Sequence, residues 1–210
     1  MGTRHLIIAY YNGKYHIAQY GQWDGYPSGQ GCDVLQFVRS AESLAKLKAA
    51  LDAGILYQPT KEDSEEFQKK INELERENEK KRARGEIDPE GYPKSAIGIV
   101  CPSLWRDTGA KILSIVADAT EPVPIHNQLN FITDGLFCEW AWVVDLDLGV
   151  LECWRGGRHN GGLPELSTRF NHLEAIRNGQ GQQPTMMATF GLNDLPDEKT
   201  FLYECGERED

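Results

Sequence analysis

The sequence predicts an α+β fold, a mostly antiparallel sheet with packed helices and a charged helical insertion. Three observations carry this. Strand-like hairpins occupy residues 5–20 and 137–154, an amphipathic helical pattern follows the first hairpin, and a highly charged stretch separates the two halves. The regular strand–helix alternation of a doubly wound sheet is missing. All 210 residues read as a single α+β domain, with 60–90 inserted as a helical arm.

The first hairpin, HLIIAYYNGKYHIAQY, turns at Asn12-Gly13, a pair that readily takes left-handed backbone angles. LIIAYY is nearly all apolar, so it reads as a central strand. In its partner the alternation places Tyr15, Ile17 and Gln19 on one face, and His16, Ala18 and Tyr20 on the other. The loop QWDGYPSGQGC comes next, then one helix over 32–54. Its apolar residues Val34, Phe37, Val38, Ala41, Leu44, Leu47 and Leu51 recur at helical spacing, Asp33 or Ser28 caps its start, and Gly54 stops it.

Residues 60–84 form the charged arm. Thr60 and Asp63 have capping-box spacing, and Phe67, Ile71 and Leu74 give a short apolar stripe, too short for a coiled coil. GEIDPEGYP reads as a loop, and its Glu90-Gly91-Tyr92-Pro93 echoes Asp24-Gly25-Tyr26-Pro27. SAIGIVCPSLW and KILSIVADA then read as strand-rich, followed by the second hairpin, EWAWVVDL and VLECW, around Asp147-Leu148-Gly149. The Gly-rich stretch 155–165 is a loop, a short helix falls within 166–178, and the tail from Asp194 holds a further strand.

Composition limits the function classes. Asp plus Glu number 32 against 22 Lys plus Arg, a net charge of -10, which disfavours a general binder of nucleic-acid backbones. No apolar run approaches the roughly 20 residues that cross a bilayer. No cleavage signal follows the short apolar N-terminus, and Leu6 stands where an N-myristoylation motif wants Ser or Thr. Five cysteines without a CxxC pair do not suggest a disulfide framework. These features point to a cytoplasmic protein that does not engage membranes.

The loop at 22–32 is the first candidate site. Gly25, Gly29 and Gly31 give backbone freedom, Trp23 and Tyr26 can wall a pocket, and Asp24 can fix an amine or hydroxyl. N–H groups at the following helix start suit an anion. Neither GxxxxGK[ST] nor GxGxxG is present, so no nucleotide cofactor is expected. The alternative is a turn that caps the core. Arg4, just before the first strand, is the natural partner for Asp24, as the catalytic pair of an enzyme or as a salt bridge across the hairpin mouth. Arg155, Arg158 and His159 form a second candidate, a fork for a phosphate or carboxylate that faces either surface acids or the 22–32 loop. Asp145 and Asp147 share a strand face, and with His159 and His172 they outline a metal site. Their spacing fits no metal motif and suits turn chemistry better. Ser103, Ser114, Cys32 and Cys101 lack the signatures of nucleophilic enzymes. Cys32 is the best of them, because a helix start can lower a thiol pKa, but a buried cysteine is the preferred reading.

The opening block, Thr3-Arg4 and then Gln19-Tyr20-Gly21-Gln22-Trp23-Asp24-Gly25-Tyr26-Pro27-Ser28-Gly29-Gln30-Gly31, resembles a group of fungal, bacterial and phage proteins without an established activity. They share the Thr-Arg start and the Trp-Asp-Gly-Tyr-Pro loop. The resemblance covers about the first 40 residues. It implies that Thr3, Arg4, Trp23, Asp24, Tyr26 and Pro27 are the family signature, and no mechanism. A hairpin followed by a polar loop is also the layout that opens the N-terminal nucleophile hydrolases, an analogy of layout only. A terminal Thr3 nucleophile needs a cleavage after Gly2 that nothing in the sequence supports.

Two functions stand as expectations. One is a small-molecule-binding protein or hydrolase-like enzyme with a pocket at 22–32, taking a small molecule or anion. The other is a non-enzymatic interaction module, including a homodimer, built on the 60–84 arm.

Overall fold

In the computed structural model, which describes residues 2–86, 95–157 and 162–207, the chain opens with β1 (His5–Tyr11) and β2 (Lys14–Gly21). Asn12 and Gly13 take φ of 50° and 71°, as their two-residue turn requires. A wide turn over Pro27–Gly31 leads to α1 (Cys32–Val38) and α2 (Ala41–Asp52). Next come β3 (Leu56–Tyr57), α3 (Lys61–Ala83), α4 (Ala96–Val100), α5 (Lys111–Ala117) and β4 (Val123–Pro124). The second hairpin is β5 (Trp140–Asp145) with β6 (Val150–Arg155). The chain then runs through α6 (Glu174–Arg177), β7 (Thr185–Gly191) and α7 (Glu198–Glu204).

The main sheet has the order β2-β1-β5-β6-β7, and β3 pairs with β4 in a separate ribbon. Every neighbour in the main sheet is antiparallel except β1 and β5, which run parallel with Tyr10 abreast of Asp145. The fold is therefore α+β with a largely antiparallel sheet. Both sheet faces are covered. Ile7, Ala9, Ile17, Trp142, Val144 and Cys153 pack under α1, α2, α5 and α7. On the other face Leu6, Ile8, Ala18, Ala141, Val143 and Trp154 pack under Ile132, Phe170 and Leu173.

Several elements differ from the sequence reading. The helix expected over 32–54 is broken at Ser40, which is extended (φ -90°, ψ 106°) and whose hydroxyl accepts the Ser43 N–H at 3.1 Å. A serine that caps a second helix leaves the apolar spacing almost unchanged, so periodicity misses the break. SAIGIV and KILSIVA are helical, as α4 and α5. Their β-branched residues favour strands, but Ile112, Leu113 and Val116 bury one helical face against the core. The tail from Asp194 holds α7 where a strand was expected, with Asp197 accepting the Thr200 N–H at 2.8 Å, and β7 ends before it at Gly191. The Glu90–Pro93 echo lies outside the described residues.

The arm is helical as expected. Thr60 Oγ1 accepts the Asp63 N–H at 3.1 Å, and the Asp63 carboxylate accepts the Thr60 N–H at 2.8 Å, closing the capping box. No residue of α3 is fully buried. Phe67, Ile71 and Leu74 are half-buried, and α3 packs chiefly on α4. Among the described residues, no helix is long and apolar enough to cross a membrane.

Two bulges reshape the sheet. Ala9 pairs with Ile17 but Tyr10 pairs with Tyr15, so His16 is the extra residue. The expected alternation of β2 therefore fails at one point: Tyr15 packs with Ala18 and Phe170, opposite to Ile17. A second bulge sits opposite Cys153 and Trp154, at Met187.

Loop 22–31 is tied to the helix-covered face. The Trp142 indole N–H donates to the Gly25 carbonyl at 3.0 Å, and the Gly25 N–H to the Thr3 carbonyl at 3.0 Å. Gly25, Gly29 and Gly31 are not needed for positive φ; in this loop only Asp24 takes one, 57°. Gly25 and Gly31 are needed for closeness. A Cβ on Gly31 would lie 2.6 Å from the Trp142 ring, and one on Gly25 2.7 Å from His5 Cβ. Gly31→Ala should cost about 1–3 kcal/mol in urea denaturation, the scale of core overpacking. Gly191→Ala, which meets nothing within 4 Å, should stay within about 0.5 kcal/mol of the parent.

Candidate functional site

Arg4, Trp23, Asp24, Tyr26 and Arg155 lie at the end of the sheet where β1 and β5 begin. Trp23 and Tyr26 are 46% and 38% exposed. The exposed Asp24 carboxylate accepts the Tyr26 hydroxyl at 3.1 Å, and the Asp24 carbonyl accepts the Gln30 N–H at 2.8 Å. Arg4 makes no ion pair with Asp24. Its guanidinium lies over the Phe137 ring at 4.4 Å, and its Nε is buried without a hydrogen-bond partner. Arg155 lies over Trp140 at 5.0 Å, and Trp140 stacks on Trp142, the residue that holds Gly25. Arg155 thus shares a sheet face with the loop. Arg158 and His159 lie outside the described residues.

The anion expected at this helix start comes from the chain itself. The Ser28 N–H donates to Glu207 at 2.7 Å, and the Ser28 hydroxyl donates to the same carboxylate. Cys32 follows the burial reading, not the helix-start one. Burial, with Glu198 and Glu207 adding to it, pushes its thiol up to about 11.

The other end of the sheet is open. A cavity of about 860 Å³ lies beside the ends of β1 and β5, on the face away from the helices, and residues 22–31 contribute nothing to its lining. Its floor is Arg169, which reaches back from the segment between the described ends of β6 and α6. Arg169 Nε and Nη2 donate to the two oxygens of Glu152 at 2.7 and 2.6 Å, and Nη2 donates also to Asp145. The Trp154 indole N–H adds a bond to Glu152 at 2.8 Å. The other Asp145 oxygen accepts the Asp147 and Leu148 N–H groups at 3.0 and 2.8 Å. Burial alone would lower the pKa of Arg169, but the hydrogen bonds and charges of Glu152 and Asp145 outweigh it and leave the guanidinium above its ordinary value.

The wall is aromatic. Tyr10 and Tyr15 meet edge to face at 4.8 Å, and Tyr15 stacks on His172 at 5.6 Å with 15° between the rings. His172 Nδ1 lies 2.9 Å from the Arg169 carbonyl. A carbonyl only accepts, so Nδ1 carries the proton and Nε2 of the neutral ring is left as an acceptor. Burial holds the Tyr15 phenol above its usual pKa despite Arg169, so this phenol is a donor.

Asp145, Asp147 and His172, considered from the sequence as metal ligands, all line the cavity but do other work. Asp147 accepts the Asn12 and Gly13 N–H groups at 2.8 and 2.9 Å, which pins one hairpin turn to the other. Among the described residues, no group of three His, Cys, Asp or Glu is placed to hold a metal ion. Tyr10, Tyr15, Glu152 and Arg169 were not singled out in the sequence. The signal was present in Asp145 and Glu152, carboxylates inside the apolar runs WAWVVD and VLECW. Carboxylates buried in a sheet demand a cation from elsewhere in the chain. Comparison with known protein families, curated proteins and solved structures finds no match.

Two outcomes follow. Arg169→Met strands two buried carboxylates and should destabilise the protein by about 3–5 kcal/mol in urea denaturation. Adding Asp145→Asn and Glu152→Gln to that variant should recover part of the loss. The second concerns His5, which is 1% exposed and whose pKa burial lowers to about 4, against the upward pull of the Thr3 carbonyl and Asp24. Its unfolded value is about 6.5. The stabilisation by neutral His5 is therefore complete above about pH 6.5 and is lost as pH falls toward 4, on the order of 3 kcal/mol in all. Urea midpoints between pH 7 and 4.5 should fall less steeply in His5→Gln than in the parent.

Proposed function

We propose that the protein binds a small molecule in the cavity bounded by Tyr10, Tyr15, Arg169 and His172. The observation that carries this is a pair of buried carboxylates bridged by the Arg169 guanidinium beneath an open cavity of about 860 Å³. Ordered polar groups below an aromatic wall are the general make-up of ligand sites. The chemistry on offer, an acceptor nitrogen on His172 beside a protonated phenol on Tyr15, also fits a hydrolase-like step in which His172 takes a proton from water.

We assign the ligand to this cavity and not to loop 22–31, because the loop directs its backbone and Ser28 hydrogen bonds to Thr3, Arg106, Trp142 and Glu207. The interaction reading has less support: the apolar stripe of α3 is half-buried in a helix that packs on α4. The five cysteines are free thiols, which supports a reducing compartment such as the cytoplasm.

Thermal shifts against a panel of metabolites test the assignment, using the parent, His172→Ala and Asp24→Asn. A compound present at about 100 times its Kd should raise the parent's stability by about 2.7 kcal/mol, a shift of several degrees. That shift should shrink in His172→Ala and persist in Asp24→Asn. The reverse pattern would move the site to loop 22–31.

A further inference from the structure

We infer that the cavity takes an organic cation, a protonated amine carried on an apolar or ring-shaped body. This rests on the small-molecule reading above and adds the sign of the ligand's charge and the character of its body.

The charge balance comes first. Among the described residues, Asp145, Asp147 and Glu152 line the cavity with one guanidinium, that of Arg169. Arg169 already spends Nε and Nη2 on Glu152 and Asp145, so the floor keeps one negative charge in excess. Asp147 adds another at the turn, partly offset by Lys48 outside the cavity lining. The N–H groups of Gly13 and Asn12 hold its pKa below the ordinary range, so it stays ionised. A concave site with low-dielectric walls focuses such a field and draws in cations.

Hydrogen bonding then separates a cation from a neutral polyol. Both oxygens of Asp145 and both oxygens of Glu152 already accept donors from the protein. Those carboxylates have little directional acceptor capacity left for sugar hydroxyls, but their charge acts through space whatever their hydrogen bonds do.

The body of the ligand follows from the mouth and the wall. Leu148 and Leu166 line the cavity yet are 72% and 47% exposed. Two leucines open to water beside a cavity are matched by an apolar group that covers them. The flat Tyr15–His172 stack offers a face to a ring.

Two matched series test this on the full chain: tryptamine, indole-3-ethanol and indole-3-propionate, and hexylamine, hexanol and hexanoate. Calorimetry reads affinity, and amide NMR shifts of Thr168 and Thr189, which line the cavity, read location. The amine should bind at least tenfold more tightly than its acid in one or both series. Its affinity should fall several-fold between about 20 mM and about 500 mM salt. Leu148→Lys, which places a positive charge at the mouth from an exposed position, should weaken the amine several-fold and strengthen the acid. If acid or alcohol matches the amine while shifting Thr168 and Thr189, the cation inference falls and the small-molecule reading stands. If no member of either series shifts those amides, both fall together.

Discussion

The parallel pairing of β1 with β5 is the constraint on which the rest of the structure depends. Leu6, Ile7, Ile8 and Ala9 have no exposed surface, because β1 is flanked on both edges and covered on both faces. A parallel neighbour cannot be reached through a hairpin turn, so the chain must leave β2 and return over a long connection. That connection contains α1 to α5, and α1, α2 and α5 come back to cover one face of the sheet. Parallel pairing also puts the turns of both hairpins at one end. Asp147 can then cap the Asn12-Gly13 turn, and Tyr10 can stand abreast of Asp145. The cavity lies where two turns meet, and neither hairpin forms it alone.

Local features were legible in the sequence; the features that depend on distant partners were not. Asn12-Gly13 specifies its turn through backbone angles, and Thr60 with Asp63 caps α3 through contacts three residues apart. Both are complete within a few residues. The β-branched run KILSIVA becomes α5 because Ile112, Leu113 and Val116 find a core to fill, which is information from elsewhere in the chain. The bulge at His16 is the same kind of case. Strict alternation is the default for a strand, and only the pairing with β1 shows that Tyr15 has changed sides. That change carries Tyr15 to Tyr10 and His172, so the aromatic wall of the candidate site was hidden by a single residue of register.

The ion cluster under the cavity also bears on register. Removing Asp145, Glu152 and Arg169 from water is costly, and a buried ion pair seldom adds net stability over an apolar replacement of the same shape. What it supplies is discrimination. Glu152 sits opposite Val143 and Asp145 opposite Val150, so both carboxylates point to the face that Arg169 reaches. A one-residue slip of β5 would turn Asp145 toward Ala9, Leu151 and the helices, away from Arg169. The slipped sheet would bury an unpaired charge, so it is disfavoured strongly even though its apolar contacts would be similar. The group that defines the floor of the cavity therefore also fixes the strands that frame it.

The two ends of the sheet show how polar residues in a sequence are best weighed. QWDGYPSGQGC is dense in glycine, aromatic and polar groups, which resembles a binding loop. A loop without regular structure must still find partners for its backbone donors and acceptors. Here the Gly25 N–H goes to Thr3, the Gly25 carbonyl to Trp142, the Gln22 N–H to Arg106 and the Ser28 N–H to Glu207. The Glu207 carboxylate comes from just beyond α7 and occupies the seat that a bound anion would have filled. Polar density in that stretch reflects the loop's demand on itself. Asp145 and Glu152 carry the opposite signal. They stand singly in apolar strands, and although Asp145 accepts the Asp147 and Leu148 N–H groups and Glu152 the Trp154 indole N–H, no local group neutralises either buried charge. A buried charge that local structure does not neutralise is explained by something distant, first Arg169 and then the open space above it.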